Sequence, residues 1–505
     1  MAGAAACLAL AATAKAQVSP DALLQKLVAK GILSQEEAEQ IKKEAATNNA
    51  GSFNNVDARK FKLSHVIRNM ELYGDLRFRY EYRAGKLGPE AGGIYDAENR
   101  WRYGLRIGVR GDLVDDFYYG LRLETSPNER SAMNTLGNGG GSSSTYYGPF
   151  SKANNYTLFV GLAYLGWHPT AWLDVSVGRV PQPLYTTSMV WDSDFAPEGA
   201  VEKLRYTYGP ADFFVTLGQY VYQDLSPGSD YAIQGGSSAG LNLGDYSDHD
   251  AYMLAWQLGG TYHVDTNLSA KVAPVIYTYV GHGNASDGFY GAFVGQGVAG
   301  YTFAPGASTT GIPGGFGSTT SYNQTGINDL AIVELPMELN FKLGSLDAKA
   351  FGDFAINLQG DQRARAAYAA GTKIGGASAF PGGVQLNQAQ AMQMGLAVGN
   401  NIGLTYGTTP KKGTWEARAF WQHVEQYALD PNLLDSEFFE GRGNLQGIYL
   451  GFAYSLTDAL IGTVRYGLAE RINDQLGTGG YNADLPLPNP INRFQLIQME
   501  LTLKF

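Results

Sequence analysis

Cysteine is almost absent: Cys7 is the only one in 505 residues. A single thiol rules out an intrachain disulfide and a multi-cysteine metal site. The six histidines, His65, His168, His249, His263, His282 and His423, are scattered without metal-ligand spacing. Charged residues make up 17% of the chain, against roughly 25% in ordinary soluble domains. The balance is acidic, with a net charge of -10 and a pI near 5.2, which excludes the basic surface of a nucleic-acid-binding protein. Long apolar runs are missing too. No stretch approaches the ~18 apolar residues of a membrane-spanning helix, so a helical membrane protein is excluded. What abounds is Gly (65), Tyr (32) and aromatic side chains (12%), with 44% hydrophobic residues. That content is too apolar for disorder and suits a large antiparallel β structure.

The N-terminus reads as an address. Residues 1–16 are small and apolar and end Ala14-Lys15-Ala16, an A-x-A cleavage pattern before Gln17. Cys7 lies inside this leader; its lipidation is the alternative. Residues 17–46 have helical spacing. Ser19 caps a first helix with Pro20 at its first position, and Leu23, Leu24, Leu27 and Val28 form one stripe before Gly31. Ser34 and Glu37 make a capping box for a second helix carrying Ala38 and Ile41. Helices this short need a partner surface, so the hairpin reads as a docking or self-associating element on the periplasmic side, or alternatively as one that binds cell wall. Residues 47–69 read as a linker.

Beyond Met70 the period changes from 3.6 to 2. Leu72, Gly74, Leu76, Phe78, Tyr80 and Tyr82 alternate with Glu71, Tyr73, Asp75, Arg77, Arg79, Glu81 and Arg83. Trp101, Tyr103, Leu105, Ile107 and Val109 likewise alternate with Arg100, Arg102, Arg106 and Arg110. Such segments exceed the usual soluble strand of about five or six residues and match the ~9–11 that a tilted membrane strand needs. Sixteen are legible, at 70–84, 98–113, 117–126, 156–167, 171–180, 200–208, 211–223, 249–264, 268–281, 328–343, 346–358, 391–407, 413–426, 445–455, 459–471 and 492–505. Short turns alternate with long loops, at 85–97, 127–155, 181–199, 224–248, 282–327, 359–390, 427–444 and 472–491. Short turns on one rim and long loops on the other is the asymmetry of an all-β transmembrane barrel, here spanning residues 70–505. Tyr80, Tyr82, Phe117, Tyr119, Tyr252, Trp256 and Tyr262 stand where interfacial girdles belong. Pro274 and Pro336 fall inside proposed strands and mark a bulge or a break in the ladder.

No catalytic constellation is legible, and no cofactor or metal is expected. Gly137–Gly141 lacks the lysine and helix start of a phosphate loop. Asp192 and Asp194 have no identifiable acid–base partner, and a lumen-side serine–histidine pair cannot be assembled. The run Asp361-Gln362-Arg363-Ala364-Arg365 reads as a charged surface loop.

Two local patterns carry a family resemblance. The last strand alternates Ile497, Met499, Leu501 and Leu503 with Gln498, Glu500, Thr502 and Lys504 and ends on Phe505. This resembles the C-terminal signal by which outer-membrane barrels are recognised for assembly. The second runs Gly178-Arg179-Val180-Pro181-Gln182-Pro183, then Val190-Trp191-Asp192-Ser193-Asp194-Phe195-Ala196-Pro197-Glu198-Gly199. It resembles the third extracellular loop of the putative-porin family of bacterial outer membranes, within the broader trimeric porins. The resemblance implies a 16-stranded homotrimer in outer-membrane lipid, delivered by the barrel-assembly machinery, whose third loop (181–199) folds inward. It also implies passive diffusion of small hydrophilic solutes and ions. On that reading Asp192, Asp194 and Glu198 are the acidic side of a constriction. Arg77, Arg79, Arg102, Arg106, Arg110 and Arg122 form its basic wall, with a transverse field between the two. A solute-specific channel for phosphate, sugar or oligosaccharide, and a non-conducting barrel for adhesion or anchoring, remain the alternatives.

Overall fold

The computed structural model describes residues 64–88, 93–126, 133–136, 157–223, 251–281, 330–362, 389–430, 433–473, 478 and 491–505. The chain divides into two units, Met1–His65 and Val66–Phe505, and the barrel is the second. The leader, the helical hairpin and the linker as far as residue 63 lie outside the described residues.

The described strands are β1 (Glu71–Leu87), β2 (Tyr95–Asp112), β3 (Phe117–Ser126), β4 (Asn134–Thr135), β5 (Thr157–Thr170), β6 (Leu173–Arg179), β7 (Glu198–Tyr208), β8 (Ala211–Gln223) and β9 (Ala251–His263). There follow β10 (Ser269–Val272), β11 (Val275–Gly281), β12 (Ala331–Leu343), β13 (Leu346–Asn357), β14 (Gln390–Gly399), β15 (Trp415–Val424), β16 (Leu445–Ser455), β17 (Leu460–Arg471) and β18 (Ile491–Lys504). Neighbours are antiparallel and β1 pairs with β18, so the sheet closes. β10 and β11 are halves of one wall strand and β4 only adds two residues beside β2, which leaves sixteen strands in the wall. Closure is what lipid demands, because no water is there to satisfy an open edge.

The period-2 pattern sorts the two faces. Leu72, Phe78 and Trp101 are at least half exposed on the outside, while Arg79, Glu81 and Arg83 on the opposite face of β1 are buried. Tyr252, Trp256 and Tyr262 also face outward. At the seam Phe505 and Gly74 exchange both backbone hydrogen bonds, at 2.9 and 3.1 Å. A Cβ on Gly74 would lie 2.7 Å from the Phe505 ring, so glycine there gives the terminal ring its place.

Several boundaries differ from the sequence pattern, three of them for a visible structural reason. Residues 66–69 belong with the barrel: Ile67 bridges Leu113, and the Arg68 N–H donates to Asp112 O at 2.9 Å. β14 stops at Gly399, because the following residues curl into a 3₁₀ turn (Leu404–Tyr406). That turn is held by the Glu416 carboxylate, which accepts the N–H groups of Gly403 and Thr405 at 2.7 and 3.1 Å. Pro274 is a true break, separating β10 from β11, whereas Pro336 stays inside β12 and its carbonyl accepts the Ala273 N–H at 3.1 Å.

Candidate functional site

The segment between β6 and β7 leaves the wall and crosses the lumen. Its root is pinned where Gly178 pairs with Gly199, both at positive φ (118° and 153°). A Cβ at either would fall within 2.3 Å of a neighbouring strand's carbonyl oxygen, so only glycine fits this pair. The Val180 N–H then closes the neck on Pro197 O at 2.9 Å.

From Tyr185 to Thr187 each residue finds a partner on the barrel wall. Gln257 clasps the Tyr185 backbone from both sides, accepting its N–H at 2.8 Å and donating to its carbonyl at 2.7 Å. The same amide reaches the Ala273 carbonyl at 3.0 Å, beside the break at Pro274. The interrupted ladder thus frees an acceptor where the loop docks. The Tyr185 hydroxyl donates to Glu338 at 2.6 Å, and Lys271 Nζ sits 3.5 Å from the centre of its ring. Burial first, and then Glu338, push this phenol far above its ordinary range. Thr186 donates to Glu334 at 2.6 Å and Thr187 to Asp353. Met189, Val190 and Trp191 are buried, with Trp191 packed edge-on against Tyr220 at 6.1 Å between centroids.

A second loop between β15 and β16, described at residues 425–430 and 433–444, meets the first inside the barrel. The Asp192 N–H donates to Leu433 O at 2.7 Å, and Asp192 Oδ2 accepts the Ser436 N–H at 3.0 Å. Tyr222 and Tyr279 both donate to Asp430, at 2.7 and 2.8 Å. Phe438 packs between Phe420 and Tyr449, at 5.8 and 5.5 Å between centroids. Arg79 joins the loop to the wall, pairing with Glu437 and with Glu500, each at 2.6 Å.

The predicted site residues therefore separate. Asp194 is the acid that faces the arginines: it pairs directly with Arg106, and Arg77 and Arg79 stand close enough to act on it. Burial raises its carboxyl, but Arg106 and then Arg77 outweigh that and hold it at about 2. Asp192 is brought to the same region but is consumed in holding the two loops together. Glu198 is not in the loop at all; it is the first residue of β7 and pairs with Arg179, opposite it in register. Among the arginines, Arg77, Arg79 and Arg106 line one cavity with Asp194, and Arg122 joins through Glu124, which sits 3.4 Å from Arg106 and 3.0 Å from Arg122. Arg102 lies nearer the long-loop rim, donating to Met133 O at 2.7 Å. Arg110 is at the short-turn rim, exposed and paired with Glu71 at 2.6 Å. The wall is thus a set of contact ion pairs rather than a bare basic ladder facing remote acids.

Below these contacts lies a cavity of about 290 Å³. Its lining mixes Arg77, Arg106, Arg465 and Lys504 with Asp194 and Glu437. Arg77 Nη2 and Arg465 Nη1 are buried there with no hydrogen-bond partner among the described residues. Such a lining can exchange hydrogen bonds with a small polar solute or a partly dehydrated anion. Among the described residues, no group of three metal-ligating side chains occurs.

The inward placement of residues 433–444 has no counterpart in the expectations drawn from sequence. Its signal was there: Leu433-Leu434 and Phe438-Phe439 interrupt an acidic stretch, and a loop in water has no use for paired large apolar residues.

A family model described as "Putative porin" matches residues 92–505. No curated protein matches the chain in sequence. Solved structures that resemble it include OprB of Pseudomonas putida at high pH, with 10% identity over 86% of this chain and 94% of that one, TM-score 0.43. An anion-selective porin from Comamonas acidovorans is 10% identical over 86% of this chain and 99% of that one, TM-score 0.41. A triple mutant of Rh. blastica porin is 10% identical over 86% and 100%, TM-score 0.37.

Proposed function

The chain belongs to the putative-porin family, and from that premise we propose that it forms a water-filled channel through the bacterial outer membrane. Small hydrophilic solutes and ions pass by diffusion, and the long loops face outside the cell. The observation that carries this reading is the loop between β6 and β7. It is folded into the barrel, packs its apolar residues Met189 to Trp191 against one side of the lumen, is tied to the wall from Tyr185 to Asp194, and borders a polar cavity on the other side. Asp194 with Arg77, Arg79 and Arg106 forms the constriction, whose free guanidinium nitrogens on Arg77 and Arg465 give a weak preference for anions.

The working unit is a homotrimer, for which the uncharged outer face of β5, with Leu158, Val160, Leu165 and Trp167 exposed, offers a contact surface. Phe505 at the closed seam is the group read by the assembly machinery. Liposome swelling tests the diffusion reading. Proteoliposomes should admit small neutral sugars at rates that fall with solute size; impermeability to all of them would leave a non-conducting adhesive or anchoring barrel. Saturable uptake of one solute alone would instead favour a solute-specific channel.

A further inference from the structure

Rows of outward side chains can be read directly from the strand register. On β1, β18, β17, β16 and β15 one row runs Lys86, Arg493, Glu470, Gln446, His423. The row two residues deeper runs Ala84, Gln495, Leu468, Ile448, Trp421. Within that one step the outer surface passes from charged and polar to mainly apolar, which is the change in chemistry at the edge of a hydrocarbon layer. The rows lie on the long-loop side, since β1 runs from Glu71 at the short-turn end to Leu87 before the first loop.

The outer surface is hollowed at this level. A slot of about 590 Å³ runs across these strands, with Tyr95 and Trp421 at its two ends. Ala84 supplies the shallow floor beside Gln495, while Leu468 and Ile448 continue the apolar side. Lys86 and Arg493 stand opposite each other in register at its upper edge, both exposed. Neither has a hydrogen bond or ion pair among the described residues, whereas the arginines inside the barrel are engaged with carboxylates. Farther along the same row Gln446 donates to Glu470 at 3.2 Å, which places an amide and a carboxylate beside the two cations.

We propose that this slot binds a phosphorylated glycolipid of the outer leaflet. Lys86 and Arg493 hold its phosphate, Glu470 and Gln446 meet sugar hydroxyls, and an acyl chain lies over Ala84, Leu468 and Ile448. Two adjacent unpaired cations match phosphate. A neighbouring carboxylate would repel a simple anionic headgroup but can accept hydrogen bonds from sugar hydroxyls, which is why a glycolipid fits better than a diacyl phospholipid. The inference rests on the outer-membrane placement proposed above, but not on conduction through the lumen.

The test titrates the purified full chain in detergent with bis-phosphorylated hexa-acyl lipid A and counts bound lipid by native mass spectrometry. The wild type should retain one lipid A per chain. K86A/R493A should bind at least tenfold more weakly, and so should A84F, which fills the slot and leaves both cations in place. Lipid A stripped of its phosphates should bind the wild type as weakly as lipid A binds the double variant. Unchanged binding in both variants would overturn the proposal, as would equally tight binding of phosphatidylglycerol or of the dephosphorylated lipid. All three proteins should give the same channel conductance, so a failure of lipid binding stays distinct from a failure of the channel reading.

Discussion

The backbone N–H of Ser436 donates to Asp192 Oδ2 at 3.0 Å, joining two loops 244 residues apart inside one barrel. Asp192 Oδ1 also accepts the Asp194 N–H at 2.9 Å, so one buried carboxylate both fastens the loops and aims Asp194 at Arg106. Groups from three distant parts of the chain thereby meet in one cluster inside the barrel.

Asp192→Ala strands the Asp194 and Ser436 N–H groups. Each buried donor left without an acceptor costs about 1–3 kcal/mol. The docked arrangement should therefore lose occupancy, and single-channel traces should change from steady to flickering. Traces as quiet as wild type would show that the loops are fixed by packing alone.

Asp194→Asn and Arg106→Gln should move ion preference in opposite directions. Removing the carboxylate leaves Arg106, Arg77 and Arg79 in excess and shifts the reversal potential toward anions. Removing Arg106 leaves an ionised acid and shifts it toward cations. The double variant should return near wild type, because the two groups neutralise each other in contact. Shifts of the same sign would place the selectivity elsewhere.

Alkaline pH should loosen the loop junction. Burial, then the charges of Asp192 and Glu437, push the Asp435 carboxyl up to about 8 against an ordinary 3.8. Between those values the docked state holds a proton that an undocked carboxyl would lose, so the junction weakens steadily as pH rises and the loss is complete above about 8. Flicker should increase through that range and level off beyond it, and Asp435→Asn should remove the dependence. The Asp194–Arg106 pair runs the other way: its carboxyl, held at about 2, stays ionised down to about that pH, so mild acid should leave it intact.

Much of this architecture is readable from residue order, and for one reason. In a membrane barrel one face of every strand meets lipid and the other a wet lumen, so period-2 alternation persists through all sixteen wall strands. The exceptions have physical causes. Residues 400–407 look like strand because Ile402, Leu404 and Tyr406 alternate, but Leu404 is buried by a turn built on Glu416. Glu198 looks like a loop acid because it follows Pro197, yet the chain is already back in the wall there, with Glu198 paired to Arg179 and Gly199 to Gly178. The partnership between Asp192 and residues 433–436 left no trace in local pattern, since it depends on where two loops meet in space.

Closure of the seam should depend on the terminal ring. Phe505→Ala empties the place over Gly74 and removes the aromatic group that follows β18. The folded fraction, seen as heat-modifiable migration on a gel, should fall several-fold in cells. An undiminished fraction would show that β18 is recognised without its last side chain.

The most direct test of the account is a planar-bilayer recording of the purified full chain. On the proposed channel reading, a lumen crossed by two latched loops that border a polar cavity of about 290 Å³ should give discrete steps of conductance, with a small reversal potential of anion-preferring sign under a salt gradient. A folded, membrane-inserted protein that gives no steps, or a strongly cation-preferring potential, would contradict it.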